Sequence, residues 1–187
     1  MRVVVFQGQF GIFRTDDLDL SMPAIQTCIG VFAENKGNGY ILCAHFDTGK
    51  GLRHNLDSIK RALAKRGLGL SDFRFTIFGG DGKLSYLRCS PPSVYIGETI
   101  IHLLAAEGAH AVYSDRYYSG IWANTFNFHY KNGATMITPG IDHRDFLGFH
   151  PHVKALADRR IVKRPDEYSI DDAAMHDISH FYLNNAL

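Results

Sequence analysis

A chain of 187 residues, 45% apolar and 21% charged, has the make-up of one globular domain of ordinary size with an appendage, not of two full domains. Its formal net charge of +1 gives no electrostatic reason to expect nucleic acid or a membrane surface as a partner. Three cysteines without framework spacing, a short apolar opening at Met1-Arg2-Val3-Val4-Val5-Phe6 and no stretch of membrane-spanning length point to a reduced, cytoplasmic protein.

Val3 to Phe6 is a short β-branched run, and Gln9 to Arg14 predicts another strand. Thr15 to Asp19 is acidic and turn-like, and Ser21-Met22-Pro23 reads as a lead-in to a β-hairpin. The hairpin runs out along Thr27 to Phe32 and back along Tyr40 to His45, with Lys36-Gly37-Asn38-Gly39 between. A polar loop, Asp47 to Gly51, precedes a helix. Its apolar face holds Leu56, Ile59, Ala62 and Leu63, with Asn55 as cap and Gly67 as stop.

Phe73 to Phe78 alternates as a strand and ends in Gly79-Gly80-Asp81-Gly82. A second helix spans Gly97 to Glu107, carries Ile100, Ile101, Leu103 and Leu104, and ends at Gly108. Strands follow at Ala111 to Ser114 and Thr125 to Tyr130. The turn Lys131-Asn132-Gly133-Ala134 leads into a return strand at Thr135 to Thr138. After Pro139-Gly140 the composition shifts, with five histidines in residues 141–187 and a helix expected from Ser169 to about Leu183. This order predicts an α+β fold: a layered sandwich of mostly antiparallel strands with two main core helices over residues 1–140. A partly helical C-terminal extension, 141–187, would pack on the core or on a partner.

Within the hairpin, Cys28 and His45 stand near the open end. Opposed residues of an antiparallel pair have a constant index sum and share a face. A two-residue turn closed by Asn35 and Asn38 gives a sum of 73 and sets Cys28 directly across from His45, at roughly 5 Å between Cβ atoms. A type I′ turn at Asn38-Gly39 would move His45 four residues along the same face, and an odd turn would put the two on opposite faces. A thiol beside an imidazole is the minimum equipment for nucleophilic catalysis. The plainer reading is a small buried Cys and a half-buried strand His.

Four segments in order carry a family resemblance: Thr27-Cys28-Ile29-Gly30-Val31, Ala44-His45-Phe46, Phe75 to Asp81, and Tyr95-Ile96-Gly97-Glu98 with the helix and Gly108-Ala109 after it. Over roughly residues 3–138 the chain resembles the CheD chemoreceptor glutamine deamidases, which share fold and catalytic pair with the deamidase domain of cytotoxic necrotizing factor. The resemblance implies a CheD-like fold and a cysteine-dependent protein glutamine deamidase. Cys28 would be the nucleophile, His45 the base and acid, and a partner protein with a target Gln the substrate.

No cofactor or metal is implied. Two positions depart from the family. Met22 stands where the family has the Thr whose oxygen orients the catalytic His, and Pro23-Ala24-Ile25-Gln26 replaces a Gly-rich approach to the Cys. Ser21, one residue earlier, is the candidate to orient His45, while Gln26, Thr27, Gly79 and Gly80 would form the substrate and oxyanion region. A CheD-fold binding module without turnover, and a Cys–His hydrolase or transferase acting on another acyl group, are the alternatives.

Cys43 shares the His45 face but belongs to a packed strand, and Cys89 reads as a loop thiol. His176 and His180 have the i, i+4 spacing of zinc ligands but no third ligand nearby, and His150-Pro151-His152 reads as a loop pair. Lys60, Arg61, Lys65 and Arg66 read as a solvated helix face. Tyr113, Tyr117, Tyr118 and Trp122 read as packing residues, with a protein-binding rim as the alternative.

Overall fold

A computed structural model describes residues 1–35, 37–80, 93–114 and 124–183; Asp81, Gly82, Cys89, Tyr117, Tyr118 and Trp122 lie outside these. The strands are β1 (Arg2–Val4), β2 (Gln9–Arg14), β3 (Asp19–Ile25), β4 (Ile29–Asn35), β5 (Tyr40–Phe46), β6 (Arg74–Gly79), β7 (His110–Tyr113), β8 (Phe126–Lys131), β9 (Ala134–Pro139) and β10 (His176–Asp177). The helices are α1 (Leu52–Ala64), α2 (Val94–Ala106), α3 (Pro151–Arg160), α4 (Ile170–Ala173) and α5 (His180–Leu183), with a 3-10 turn at His143–Phe146. A four-stranded sheet has the order β1-β3-β8-β9, and a six-stranded sheet the order β10-β2-β5-β4-β6-β7. Pairing is antiparallel except at β1/β3, β10/β2 and β6/β7. The fold is therefore the expected α+β sandwich.

Strand alternation explains the layers. Ile29, Val31 and Ala33 of β4 and Leu42, Ala44 and Phe46 of β5 join one core, with Leu56, Ile59 and Leu63 of α1 and Ile100 and Leu104 of α2. The other face of the same sheet, with Ile41, Cys43 and Phe78, meets Leu20, Met22, Ile25 and Phe128 of the four-stranded sheet. Phe32 stacks on Phe128 at 4.4 Å between ring centroids, bridging the two sheets. Each such buried side chain contributes about 1.5–3 kcal/mol, so this second interface resists opening. It is also the face on which His45 lies.

Several elements differ from the sequence reading. The Ser21-Met22-Pro23 segment is part of a strand, β3, and belongs to the opposite sheet. Its pairing with β8 shifts register between Met22 and Ile25, with Ala24 at φ 59° and its N–H bonded to Asn127 Oδ1. That bulge accommodates Pro23, which breaks the sequence pattern of a strand. Helix α1 starts at Leu52, and Asn55 is not its cap. Asn55 lies in the first turn and grips the extension: its Nδ2 donates to Ala173 O and its Oδ1 accepts from Met175 N.

The single helix expected over Ser169–Leu183 is instead α4, β10 and α5, so His176 and His180 sit on different elements. Helix α3, capped by His150 with Pro151 at its first position, was not expected at all. The extension is an integral layer, since β10 adds to β2 and Val153, Ala157, Ile178 and Tyr182 join the inter-sheet core.

Candidate active site

The β4/β5 hairpin has an index sum of 75, from Asn35 opposite Tyr40 to Ile29 opposite Phe46. Neither expected turn occurs. Asn38 N donates to Asn35 Oδ1 at 2.9 Å and Gly39 N to Asn35 O at 3.1 Å, closing a four-residue connection. The register is thus two residues away from direct opposition of Cys28 and His45: His45 faces Gly30, and Cys28 directly precedes β4. An even connection preserves parity, so Gly30 and His45 share the side of the pleat toward the inter-sheet core, with Cys28 in the bend just before β4 and Asp47 just after β5. The conditional sum of 73 is corrected to 75, and Cys28 lies in the bend before the paired residues.

His45 is 3% exposed, and neither ring nitrogen has a hydrogen-bond partner. Burial pushes it down to about 4, although Asp47 and the nearby Val5 main chain favour the proton. Gln9, directly across on β2, does not bond it: its Nε2 donates to Val153 O and its Oε1 accepts from Phe6 N. Cys28 is half-buried but densely surrounded, and burial followed by the Asp47 charge pushes its thiol up, against the pull of Arg160. The resting pair is therefore a protonated thiol and a neutral imidazole, not an ion pair.

Ser21 does not orient His45. Alternation along β3 turns Met22 into the inter-sheet core and Ser21 to the opposite face. There Ser21 Oγ donates to Asp145 O at 2.6 Å and accepts from Arg2 Nη2 at 2.8 Å. Met22, where the family has its Thr, is fully buried and has no group to bond the ring.

Gly79 and Gly80 do border Cys28. Gly80 N donates to Cys28 O at 2.9 Å, so that N–H cannot serve as an oxyanion donor. Gly79 has φ 81°, and a Cβ there would lie 2.3 Å from Ile25 Cγ2 and 2.9 Å from Cys28 O. Its carbonyl takes the Tyr113 hydroxyl, which makes Tyr113 a support of this turn. Gln26 and Thr27 are half-buried in the bend before Cys28. Cys43 is fully buried between the sheets with its thiol pushed up by burial, as a packed residue should be.

The sequence reading missed the groups around the pair. Asp47, taken only as part of a polar loop, is bound by Arg160 at the end of α3. Nε donates to Oδ2 at 2.8 Å and Nη2 to Oδ1 at 2.9 Å, with both side chains under 5% exposed. Arg160 Nη1 donates to the carbonyls of Asp172 and Ala174, and Nη2 also to that of Ala173. All five guanidinium N–H groups are thus satisfied.

Tyr168 Oη lies 2.7 Å from Arg160 O and 3.2 Å from Asp47 Oδ2; its one proton goes to the closer carbonyl. Gly8, at φ 72°, admits the fork: a Cβ there would lie 2.2 Å from Arg160 Nε. Asp47 follows His45 by two residues, just past the end of β5. No local signal marks Arg160, which is 113 residues away from Asp47.

Two hollows of about 320 Å³ lie elsewhere, neither lined by Cys28 or His45. Among the described residues no group of His, Cys, Asp or Glu could hold a metal ion, and no helix is long and apolar enough to cross a membrane. No protein-family model matches the chain, and no curated protein is significantly similar to it.

Proposed function

We propose that the chain is a cysteine-dependent protein glutamine deamidase with Cys28 as nucleophile and His45 as proton carrier. The observation that carries this reading is His45 itself: a buried imidazole with two unpartnered nitrogens, paired with Gly30, two residues from Cys28. A purely packing role would favour an apolar side chain there, because an unsatisfied buried polar group costs about 1–3 kcal/mol. The α+β sandwich agrees with the resemblance to the CheD deamidases, on which the choice of substrate rests.

The reaction is acyl transfer to water. His45 takes the Cys28 proton, and the thiolate attacks the glutamine carboxamide carbon. The tetrahedral adduct expels ammonia with the proton returned by His45, and water attacks the thioester to leave Glu and the free thiol. No electrons are exchanged with any cofactor. Incubation with glutamine-bearing proteins, with ammonia measured, tests the reading. Release that vanishes in Cys28→Ala supports it, and release undiminished in that variant overturns it.

A second reading, a binding module without turnover, draws on one observation. His45 is 3% exposed, and burial disfavours both its imidazolium and the Cys28 thiolate. Turnover separates the two: a deamidase releases ammonia from a glutamine-bearing protein in a Cys28-dependent way, and a binding module releases none.

A further inference from the structure

Resting on the reading of Cys28 and His45 as the reacting pair, a further question is what steadies His45, since Ser21 and Met22 do not. Asp47 is the nearest candidate: it follows His45 by two residues, and the Arg160 that grips it lies against Gly8, whose N–H donates to His45 O at 2.8 Å. Its charge bears on both His45 and Cys28. Yet its two oxygens are directed to the Arg160 fork, with Tyr168 close to one of them.

The orphan imidazole and the engaged carboxylate therefore stand side by side, and the group engaging the carboxylate comes from the C-terminal extension. Loop and extension are further tied by Lys50 Nζ to Tyr168 O at 2.6 Å, and α1 and extension by Asn55.

We propose that Asp47 is the positioning residue for His45, and that Arg160, supported by Tyr168, withholds it, so that docking of residues 151–174 keeps the Cys28–His45 site at rest. With the fork loosened, Asp47 accepts the Nδ1–H of His45. The tautomer so fixed leaves Nε2 as the acceptor for the Cys28 proton: the S–H bond breaks, an N–H bond forms, and the thiolate and imidazolium remain as an ion pair. The charged and titratable groups bearing on this exchange are Asp47, Arg160, Tyr168 and, from β10, His176.

The test uses the full chain and follows iodoacetamide labelling of Cys28 and Cys43 separately by peptide mass spectrometry at neutral pH. Arg160→Lys keeps the charge but cannot reproduce the five-donor fork. It should speed Cys28 roughly ten-fold through the larger thiolate fraction and leave Cys43 unlabelled. Tyr168→Phe, a milder change should Arg160→Lys not fold, should give about a two-fold rise.

Adding Asp47→Asn to either variant should return Cys28 to the native rate, and a downfield His45 Nδ1 proton in the NMR spectrum should appear and vanish in step. An unchanged Cys28 rate, a rise that survives Asp47→Asn, or a parallel rise at Cys43 would overturn the proposal.

Ammonia release measured alongside separates this proposal from the deamidase reading. Asp47-dependent labelling without ammonia upholds the restraint and removes the deamidase. Ammonia release with labelling insensitive to Arg160 and Tyr168 removes the restraint and upholds the deamidase.

Discussion

The C-terminal extension lands on strand polar groups at two places, and the two contacts differ in completeness. On the outer face of the four-stranded sheet, the 3-10 turn brings Asp145 to Ser21, Arg2 and His129. His129 Nδ1 lies 3.4 Å from Asp145 Oδ1, His129 Nε2 bonds Thr138 Oγ1 at 3.0 Å, and Asp145 Oδ2 is buried without a partner. On the six-stranded sheet, every donor of Arg160 is satisfied around Asp47. The first contact is buried but incomplete: the bonds of Ser21 are short, while the His129–Asp145 pair is long and one Asp145 oxygen is bare. The second is a closed network, and it lies near His45, a buried imidazole whose ring nitrogens have no partner. Docking of the extension thus completes the polar network at Arg160 and leaves the His45 ring bare.

The largest effect should come from breaking the closed network. Arg160→Met leaves Asp47 buried and unpaired and should cost about 3–5 kcal/mol in urea unfolding. Gly8→Ala should destabilise by a similar route, since its Cβ would occupy the space of the guanidinium. A loss below about 1 kcal/mol in Arg160→Met would mean that the network opens to water in solution.

Next in size is a pH effect confined to His45. Its folded value of about 4 lies below its ordinary 6.5, so the unfolded chain takes up a proton first as pH falls. This contribution is intact above about pH 6.5 and declines toward pH 4, by about 3 kcal/mol in all. Unfolding of native and His45→Gln chains across that window should diverge accordingly, with the native chain showing the steeper loss on acidification. Parallel curves would place the His45 ring in contact with water.

Ser21→Ala sharpens the comparison from the other side. It removes a donor to Asp145 O and an acceptor for Arg2, and should cost about 1–2 kcal/mol while leaving Cys28 labelling unchanged. A change in labelling would return Ser21 to the site. The smallest effect belongs to the exposed Lys131–Asp19 pair, where Lys131→Ala should alter stability by no more than about 0.5 kcal/mol.

Much of the fold was legible because its signals are local. Alternation marked β2, β4, β5, β6 and β8, helical spacing marked α1 and α2, and Asn132-Gly133 marked the β8/β9 turn. The hairpin itself was legible, whereas its register depended on how Asn35 and Gly39 close the loop. Strand β3 was hidden by Pro23 and its bulge, so Ser21 and Met22 were placed on the approach to Cys28 instead of on opposite faces of another sheet. The extension was misread as one helix because its order is imposed by distant partners, Gln9 for β10 and Asn55 for the Ala173–Met175 link. The Asp47–Arg160 fork is of the same kind: no periodicity joins residues 113 positions apart, and only packing brings them together.

The central claim, that Cys28 carries the reaction, is tested most directly by trapping the acyl-enzyme. The full chain is incubated with glutamine-bearing proteins, acid-quenched during turnover and analysed by peptide mass spectrometry. A thioester adduct on Cys28, absent from Cys28→Ala and from Cys43, is the predicted result. Ammonia released with no adduct on Cys28, or with the adduct on another cysteine, would contradict it.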